Sequence, residues 1–281
     1  MLRSLFKNAR GARIVLYHGI CLRRHTRYNS LFLRRRTFER HLRTFREYCN
    51  VLTLDDFFRH RFDPDRFNIC ITFDDGFANN YTHALPLLEK YQIPATFFIT
   101  SIREAGFPFL WNDLFTISKS DRSLRDQLQS AGFEKKCEFI QSLEPQLPHI
   151  LKSKESDFWL QMTQEEIQQL ARSPLATIGC HSYYHNDLSR LSANAVKNDL
   201  DNNKRQLETL IGRTIDALAF PYGNYNGETI AQAKAAGFGQ LLATDFRMPG
   251  DAMNPAMRER MTVNPYISTY RQMKAIVNGK Y

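Results

Sequence analysis

Two adjacent carboxylates follow a run of apolar, β-prone residues in the segment NICITFDDGF, residues 68–77. Asp74 and Asp75 therefore stand at the end of a predicted strand, where their charges repel each other. Two anions about 5 Å apart cost free energy unless a cation lies between or beside them. The pair therefore predicts that another part of the chain supplies or binds a cation here.

Polar residues follow three more predicted strands. His18 comes directly after RIVLY, and His181 comes directly after ATIGC, with His185 four residues later in HSYYH. Tyr222 lies in the Pro-Tyr-Gly segment that follows ALAF. In a β/α barrel the C-terminal ends of the strands form one rim, where the chemistry collects. We therefore expect two carboxylates, three imidazoles and a polar loop at one rim.

These residue types predict a metal-dependent hydrolytic site. Neighbouring residues at a strand end point in different directions, so Asp75 can bind a metal while Asp74 faces the substrate. With His181 and His185, Asp75 makes a three-ligand set with open positions, as a catalytic Zn²⁺ site requires. Such a metal lowers the pKa of bound water towards about 7 and polarises a carbonyl. Asp74 would then act as general base, and a backbone N–H near Tyr222 would bind the developing oxyanion.

Each motif alone also fits a structural role. Asp-Asp-Gly is common in turns, where glycine supplies a positive φ. A single histidine such as His18 is most often a surface or core residue, and Phe-Pro-Tyr-Gly can be an ordinary loop. These structural readings do not explain why all the motifs fall at strand ends.

Short apolar strands alternate with helical patterns along the 281 residues. We predict strands at 13–17, 68–73, 95–100, 176–180, 217–220, 239–242 and 261–263, and helices at 37–48, 81–91, 163–171, 193–211, 227–236 and 270–277. This alternation predicts a parallel sheet covered by helices. We expect one α/β domain over residues 1–281, a distorted (β/α) barrel of about seven parallel strands.

Residues 101–160 interrupt the alternation and predict a mostly helical insertion between two barrel strands. The insertion could wall one side of a substrate groove, although Trp111 and Phe115 fit a plain packing role equally well. The five cysteines are odd in number and form no CxxC pair, which favours free thiols over a disulfide frame.

The charge and the apolar runs bear on location. The net charge is +9, with arginines concentrated in residues 23–46. This segment is either a solvated helix face with a loop or an attractor for an anionic partner. No apolar run is long enough for a transmembrane helix or a signal peptide core, so we expect a cytoplasmic protein.

TFDDG, HSYYH and FPYG, in this order, resemble the first three motifs of the polysaccharide deacetylase family, the NodB-homology domain of carbohydrate esterase family 4. The resemblance covers about residues 12–265 without the insertion. It implies a distorted β/α barrel that removes N-acetyl, and sometimes O-acetyl, groups from sugars with a divalent metal, usually zinc. It also implies Asp74 as base, Asp75, His181 and His185 as metal ligands, and the Tyr222 backbone as oxyanion donor.

Two motifs depart from the family pattern. Ala219 stands where the third motif usually has an arginine that orients the base, and Arg260 is the candidate replacement. No histidine follows His185, although the family usually has a late Leu-x-His strand. The IVLYHGI segment is instead similar to the Tyr-His strand of the poly-N-acetylglucosamine deacetylases, in which the motif order is circularly permuted. That similarity implies His18 as the acid that protonates the leaving amine.

We therefore expect a metal-dependent deacetylase acting on an N-acetylated amino-sugar glycan or glycan precursor. Three alternatives stay open: a deacylase of an O-acetyl, N-formyl or small cyclic amide substrate, an inactive glycan-binding homologue, and a binder of anionic surfaces or nucleic acid. No nucleic-acid motif is present. A cytoplasmic location favours a lipid-linked or nucleotide-linked precursor, with peripheral contact between the arginine-rich segment and an anionic membrane or phosphate-bearing glycan.

Overall fold

A computed structural model describes residues 1–22, 29–118, 121–152 and 158–281. Residues 23–28 of the arginine-rich segment and two short parts of the insertion lie outside the described residues. The strands are β1 (Ala12–Tyr17), β2 (Ile20–Cys21), β3 (Leu33–Arg34), β4 (Cys49–Leu52), β5 (Phe67–Phe73), β6 (Ala95–Ile99), β7 (Ala176–Cys180), β8 (Ala217–Ala219), β9 (Gln240–Ala243), β10 (Met257–Glu259) and β11 (Met261–Thr262).

The main sheet is parallel throughout and nearly closes into a barrel. Eight strands follow the order β10-β9-β8-β7-β6-β5-β1-β11, and β4 pairs with the first half of β5. The strands at the two ends of this path, β10 and β11, are separated along the chain by Arg260 alone. The two edges of the sheet are therefore held together by one residue, which confirms the predicted distorted barrel.

All seven predicted strands are present, and the sheet contains two more, β4 and β10. Both were missed because they are short: β4 has only the four residues CNVL, and β10 has only MRE, of which two residues are charged. The separate pair β2 and β3 has only two residues in each strand.

Alternate residues of each strand face the outer helices or the barrel interior. In β5, Ile69, Ile71 and Phe73 pack in the cluster shared with the helices, whereas Cys70 packs in a smaller interior cluster. That interior cluster includes Phe98 of β6 and residues of β1, β8 and β9. Thr72 and Asp74 lie on the same inward face of β5 as Cys70, because alternate residues share a face. The Asp74 carboxylate therefore points into the barrel at the end where the strands finish.

The helices are α1 (Leu2–Lys7), α2 (Arg35–Tyr48), α3 (Leu54–Phe58), α4 (Leu85–Tyr91), α5 (Trp111–Ser118), α6 (Arg122–Ser130), α7 (Phe133–Ser142), α8 (Leu147–Lys152), α9 (Gln164–Arg172), α10 (Ala193–Ile211), α11 (Gly227–Ala235) and α12 (Thr269–Asn278). All six predicted helices are present. The predicted capping box forms at the start of α9, where Thr163 and Glu166 bond each other's backbone N–H groups. None of the described helices combines the length and apolar character needed to cross a bilayer.

The insertion between β6 and β7 contains α5 to α8 and has its own apolar cluster. Trp111, Phe115 and Phe139 are buried in this cluster, together with Phe32 and Phe77 from loops at the barrel rim. The insertion is therefore packed onto the end of the barrel where the strands finish. All five cysteines are free thiols.

Candidate metal centre and active site

The strand β5 ends in a left-handed turn that separates the two aspartates. The Asp74 N–H still donates to the Tyr17 carbonyl at 3.0 Å, as in the parallel ladder. Asp75 and Gly76 both have φ of 76°, which an aspartate adopts only at a cost. Non-glycine residues in this conformation cluster at functional sites. The turn sends the neighbouring carboxylates to different partners.

Asp74 is held by Arg260, the residue that joins β10 to β11. The Arg260 guanidinium donates to both carboxylate oxygens at 2.7 Å, and it also reaches Thr72 Oγ1 at 3.3 Å. Both side chains are almost fully buried. Burial alone would raise the pKa of Asp74, but the charges of Arg260 and His181 hold it below its ordinary value. Asp74 is therefore ionised and fixed in orientation.

Asp75 faces the two imidazoles of the HSYYH segment. Its Oδ1 lies 3.3 Å from His181 Nε2 and 3.2 Å from His185 Nε2. All three residues are buried, and their ligand atoms lie within 4.8 Å of one another. Burial would raise the pKa of Asp75, but the hydrogen bonds of the two histidines hold it well below its ordinary value. His181 Nε2 is also 3.9 Å from the Asp74 carboxylate.

The donor set fits a divalent metal ion. His181 Nδ1 lies 2.8 Å from the Ala219 carbonyl, which can only accept, so this nitrogen carries the proton. In a neutral ring the bare Nε2 then faces the Asp75 carboxylate, and two acceptors oppose each other. A cation between them satisfies both, and two imidazoles with one carboxylate are typical ligands of zinc.

Without a metal, a second proton on His181 can fill the same position. Burial opposes this proton, but the Asp74 and Asp75 carboxylates outweigh burial and raise the pKa of His181 above its ordinary value. Burial lowers the pKa of His185, and Asp75 offsets this only in part. The pKa of His181 is therefore raised and that of His185 lowered, although both imidazoles face the same carboxylate.

The helix α10 supports the loop that carries the histidines, which sequence reasoning did not predict. Asn203 accepts a hydrogen bond from the His181 N–H at 3.1 Å and donates to Ser101 at 2.8 Å. One turn earlier, Asp199 accepts from the Tyr183 N–H at 2.8 Å and from the Asn186 amide at 3.0 Å. The available signal was two polar residues, four apart, on the apolar face of α10.

Lys136 of α7 connects the insertion to the same loop. Its ammonium donates to Asn186 Oδ1 at 2.7 Å, and Asn186 directly follows His185. The Lys136 side chain is 1% exposed, and burial lowers its pKa to about 8. The insertion therefore contacts the loop next to a candidate ligand, through a contact that the sequence pattern did not indicate.

Tyr222 lies beside His185 and has an unpredicted side-chain contact. Its hydroxyl is 3.1 Å from His185 Nδ1, and the two rings meet edge to face with centroids 4.7 Å apart. The backbone at Tyr222 has φ of 60°, and Gly223 follows with φ of 64°. A Cβ at Gly223 would lie 2.1 Å from Thr244 Oγ1, so only glycine fits. The tight turn places the tyrosine ring against the imidazole.

His18 follows β1 at the same level as Asp74. Tyr17 is in register with Phe73, so the next residue on each strand, His18 and Asp74, stand side by side at the rim. The His18 carbonyl accepts from the Asn80 amide at 2.7 Å, and the residue is half-buried. The structure thus brings all seven predicted site residues to one end of the barrel. It also shows that the Ala219 carbonyl contacts the His181 ring, while the arginine at Asp74 comes from the junction between the two sheet edges.

The chain is similar to known deacetylases. The family model "Polysaccharide deacetylase" matches residues 62–241. YxkH of Bacillus subtilis (strain 168), a protein named as a polysaccharide deacetylase, is 23% identical over 249 residues, which are 85% of this chain and 65% of YxkH. The chain thus spans about two thirds of that relative's length.

Solved structures share the fold. The Streptococcus pyogenes deacetylase PplD, in complex with acetate, has a TM-score of 0.65 at 18% identity, over 94% of this chain and 99% of PplD. IcaB from Ammonifex degensii has a TM-score of 0.63 at 20% identity, over 96% of this chain and 98% of IcaB. The family match covers well over half of the chain, so the chain belongs to the polysaccharide deacetylase family.

Proposed function

We propose that this protein is a metal-dependent hydrolase that removes N-acetyl groups from an amino-sugar glycan or glycan precursor. One observation carries the proposal: an ionised Asp74, held by Arg260, stands next to a carboxylate and two imidazoles whose acceptor atoms converge. This arrangement combines a general base with a ligand set for a divalent ion. Family membership supports the same reaction class.

Asp75, His181 and His185 would hold the metal, and Zn²⁺ suits their two nitrogens and one oxygen. When bound, the ion supplies Lewis acidity and a lower pKa for the attacking water. The Ala219 carbonyl and the Tyr222 hydroxyl hold the outer nitrogens of the two imidazoles, which keeps the inner Nε2 atoms turned towards Asp75. The site is therefore organised before substrate arrives.

Asp74 accepts the proton of the attacking water in this proposal. Arg260 keeps the carboxylate ionised and in one orientation, which is the task of the arginine usually found at the Ala219 position. His18, beside Asp74 at the rim, donates a proton to the leaving amine, so acid and base act from adjacent strands. The Tyr222 backbone N–H donates to the oxygen of the acyl group as negative charge develops there.

The Arg260–Asp74 pair favours catalysis over the binding-only alternative. An inactive homologue would fit the absence of an arginine at position 219, but a guanidinium reaches Asp74 from the junction between β10 and β11. The deacylase alternatives, with an O-acetyl, N-formyl or small cyclic amide substrate, use the same residues. Product analysis separates them, because they release different acids or amines.

A phosphate-bearing or membrane-bound precursor would suit the exposed face of α2. Arg36, Arg40, Arg43 and Arg46 are exposed on this helix, and Arg34 is exposed just before it. Such a face attracts anionic surfaces in a salt-dependent way. The cytoplasmic location stays a sequence-based prediction. The test is the combined variant Arg34→Glu, Arg36→Glu and Arg40→Glu. Unchanged vesicle binding and unchanged activity would reject an anionic partner for this face.

The function is tested with purified protein on a panel of N-acetylated, O-acetylated and N-formylated sugars. We expect release of acetate and a free amine, loss of this activity after chelation, and recovery when Zn²⁺ is added. Asp74→Asn should lower turnover about 10²- to 10⁴-fold while metal content is retained. An active Asp74→Asn variant, or a wild type inactive with every divalent ion, would contradict the proposal.

A further inference from the structure

Among the described residues, eight buried side-chain atoms lack a hydrogen-bond partner, and four of them lie at the start of α5 and at the end of the insertion. Within the described residues they include Trp111 Nε1, Asn112 Oδ1, Asp113 Oδ2 and Gln161 Nε2. The first three belong to consecutive residues. Asp113 is 6% exposed, so its unpartnered carboxylate oxygen is well removed from bulk water.

The residues that carry these atoms border the candidate metal centre. Trp111 packs in the aromatic cluster that Tyr222 adjoins, and its indole approaches the tyrosine hydroxyl beside His185. Burial raises the pKa of Asp113, and the nearby charge of Asp75 raises it further. Gln161 forms a bridge with Phe77, two residues after Asp75, and its Oε1 accepts from Thr100.

An unpartnered buried carboxyl is costly, and folded proteins keep few of them. At the metal end of the site, the carboxyl and amide groups of Asp74, Asp199 and Asn203 have partners. The end of the insertion instead presents an N–H donor from Gln161 and acceptor oxygens from Asn112 and Asp113. A ligand that satisfies this set must both donate and accept. Ring hydroxyl groups of a sugar do both.

We propose that Trp111, Asp113 and Gln161 form the subsite that holds the sugar ring, and that Asp113 accepts a hydrogen bond from a ring hydroxyl. The inference rests on the proposed function, because it assigns the specificity of the same site. The barrel supplies the groups that act on the acyl bond, and the insertion supplies the groups that recognise the sugar.

The test compares the wild type with Asp113→Leu, which removes the carboxyl but keeps a similar shape. Both proteins are assayed on a trimer of N-acetylglucosamine, on derivatives lacking one ring hydroxyl, and on 4-nitrophenyl acetate, which has no sugar. Glu138→Gln is the matched control, because it removes an exposed charge from the same insertion. Binding of the trimer is also measured by calorimetry on Asp74→Asn and on the double variant with Asp113→Leu.

We expect Asp113→Leu to lower kcat/KM on the trimer about 10- to 100-fold, because a ring hydroxyl is then buried without a hydrogen-bond partner. Hydrolysis of 4-nitrophenyl acetate should be unchanged. Removing one particular ring hydroxyl from the substrate should lower kcat/KM of the wild type by a similar factor. The same removal should leave kcat/KM of the Asp113→Leu variant almost unchanged. The thermal midpoint of Asp113→Leu should equal or exceed that of the wild type, because an unpartnered buried carboxyl is lost.

Equal losses on the sugar and on the ester would place Asp113 in the catalytic machinery and overturn the subsite. Unchanged turnover and unchanged binding of the trimer would mean that Asp113 holds only a water molecule, which also overturns it. A wild type without deacetylation refutes the proposed function alone. In that case, weaker trimer binding after Asp113→Leu still supports the subsite, and equal binding rejects it.

Discussion

The barrel rim and the insertion wall differ in how their buried carboxyl groups are satisfied. At the rim, Asp74 has two hydrogen bonds from Arg260, and each candidate histidine ligand has a partner on its outer nitrogen. At the wall, Asp113 Oδ2 is buried without a partner. A satisfied site is rigid before binding, whereas an unsatisfied one gains its hydrogen bonds from the ligand. In our proposal, this contrast separates the groups that act on the acyl bond from the groups that recognise the sugar.

The largest expected effect comes from removing the carboxylate that we propose as a metal ligand. Asp75→Ala should abolish tight metal binding and lower deacetylation on the order of 10³-fold or more, because several kcal/mol of transition-state stabilisation depend on the ion. Metal content by elemental analysis and kcat/KM are measured together. Asp187→Ala, also a buried aspartate near the site, is the comparison variant. Full metal occupancy in Asp75→Ala would remove the central role given to this residue.

The next effect concerns the link between Arg260 and the base. Arg260→Met leaves Asp74 as a buried charge without its main partner, which should cost about 3–5 kcal/mol of stability. Activity should fall about 100-fold or more, since the base loses its orientation. Arg260→Lys keeps the charge but loses the paired donors, so an intermediate loss is expected. Denaturant unfolding and kcat/KM give the two quantities, and a fully active Arg260→Met would contradict the assignment.

A smaller effect is expected from Asp199, which does not contact the candidate metal position but supports the loop that carries the histidines. Asp199→Leu removes the acceptor for the Tyr183 N–H and the Asn186 amide, so the histidine loop loses part of its support. Outer partners of this kind change metal affinity about 10- to 100-fold. Competitive chelator titration measures the change. Asp201→Leu, on the same helix but in a surface pair with Lys197, should leave metal affinity as in the wild type.

The smallest effect is a pH dependence that only the metal-free protein should show. The folded-state pKa of His181 is raised above its ordinary value of 6.5, so its stabilising proton is fully present below that value. This contribution is lost as pH rises through the folded-state pKa. We expect the melting temperature of chelated protein to fall by a few degrees above neutral pH. Zinc-loaded protein should not show this fall, and identical profiles would argue against a shared cation position.

The sequence predicted the parts of the site that depend on strand ends. Parallel strands finish at one edge, so Asp74, Asp75 and His181 were expected to lie together from local pattern alone. Arg260 was expected at the rim because a predicted strand follows it. These inferences needed only the alternation of strands and helices and the position of polar residues after apolar runs.

The rest depends on which helix face meets which loop, and this is not visible in a local pattern. Asp199 and Asn203 sit on the buried face of α10, where they read as polar interruptions of a helix. Lys136 reads as one of many charged insertion residues, although it is fully buried against Asn186. The strand β10 was missed because three residues with two charges give no β signal. Long-range packing decided each of these.

The most direct test of the central claim is a crystal structure of the zinc-soaked protein with anomalous data at the zinc edge. The account predicts one strong peak about 2 Å from the Asp75 carboxylate and from Nε2 of both His181 and His185, with Asp74 still paired to Arg260. A peak bonded to other residues, or no peak between these three side chains, would contradict it.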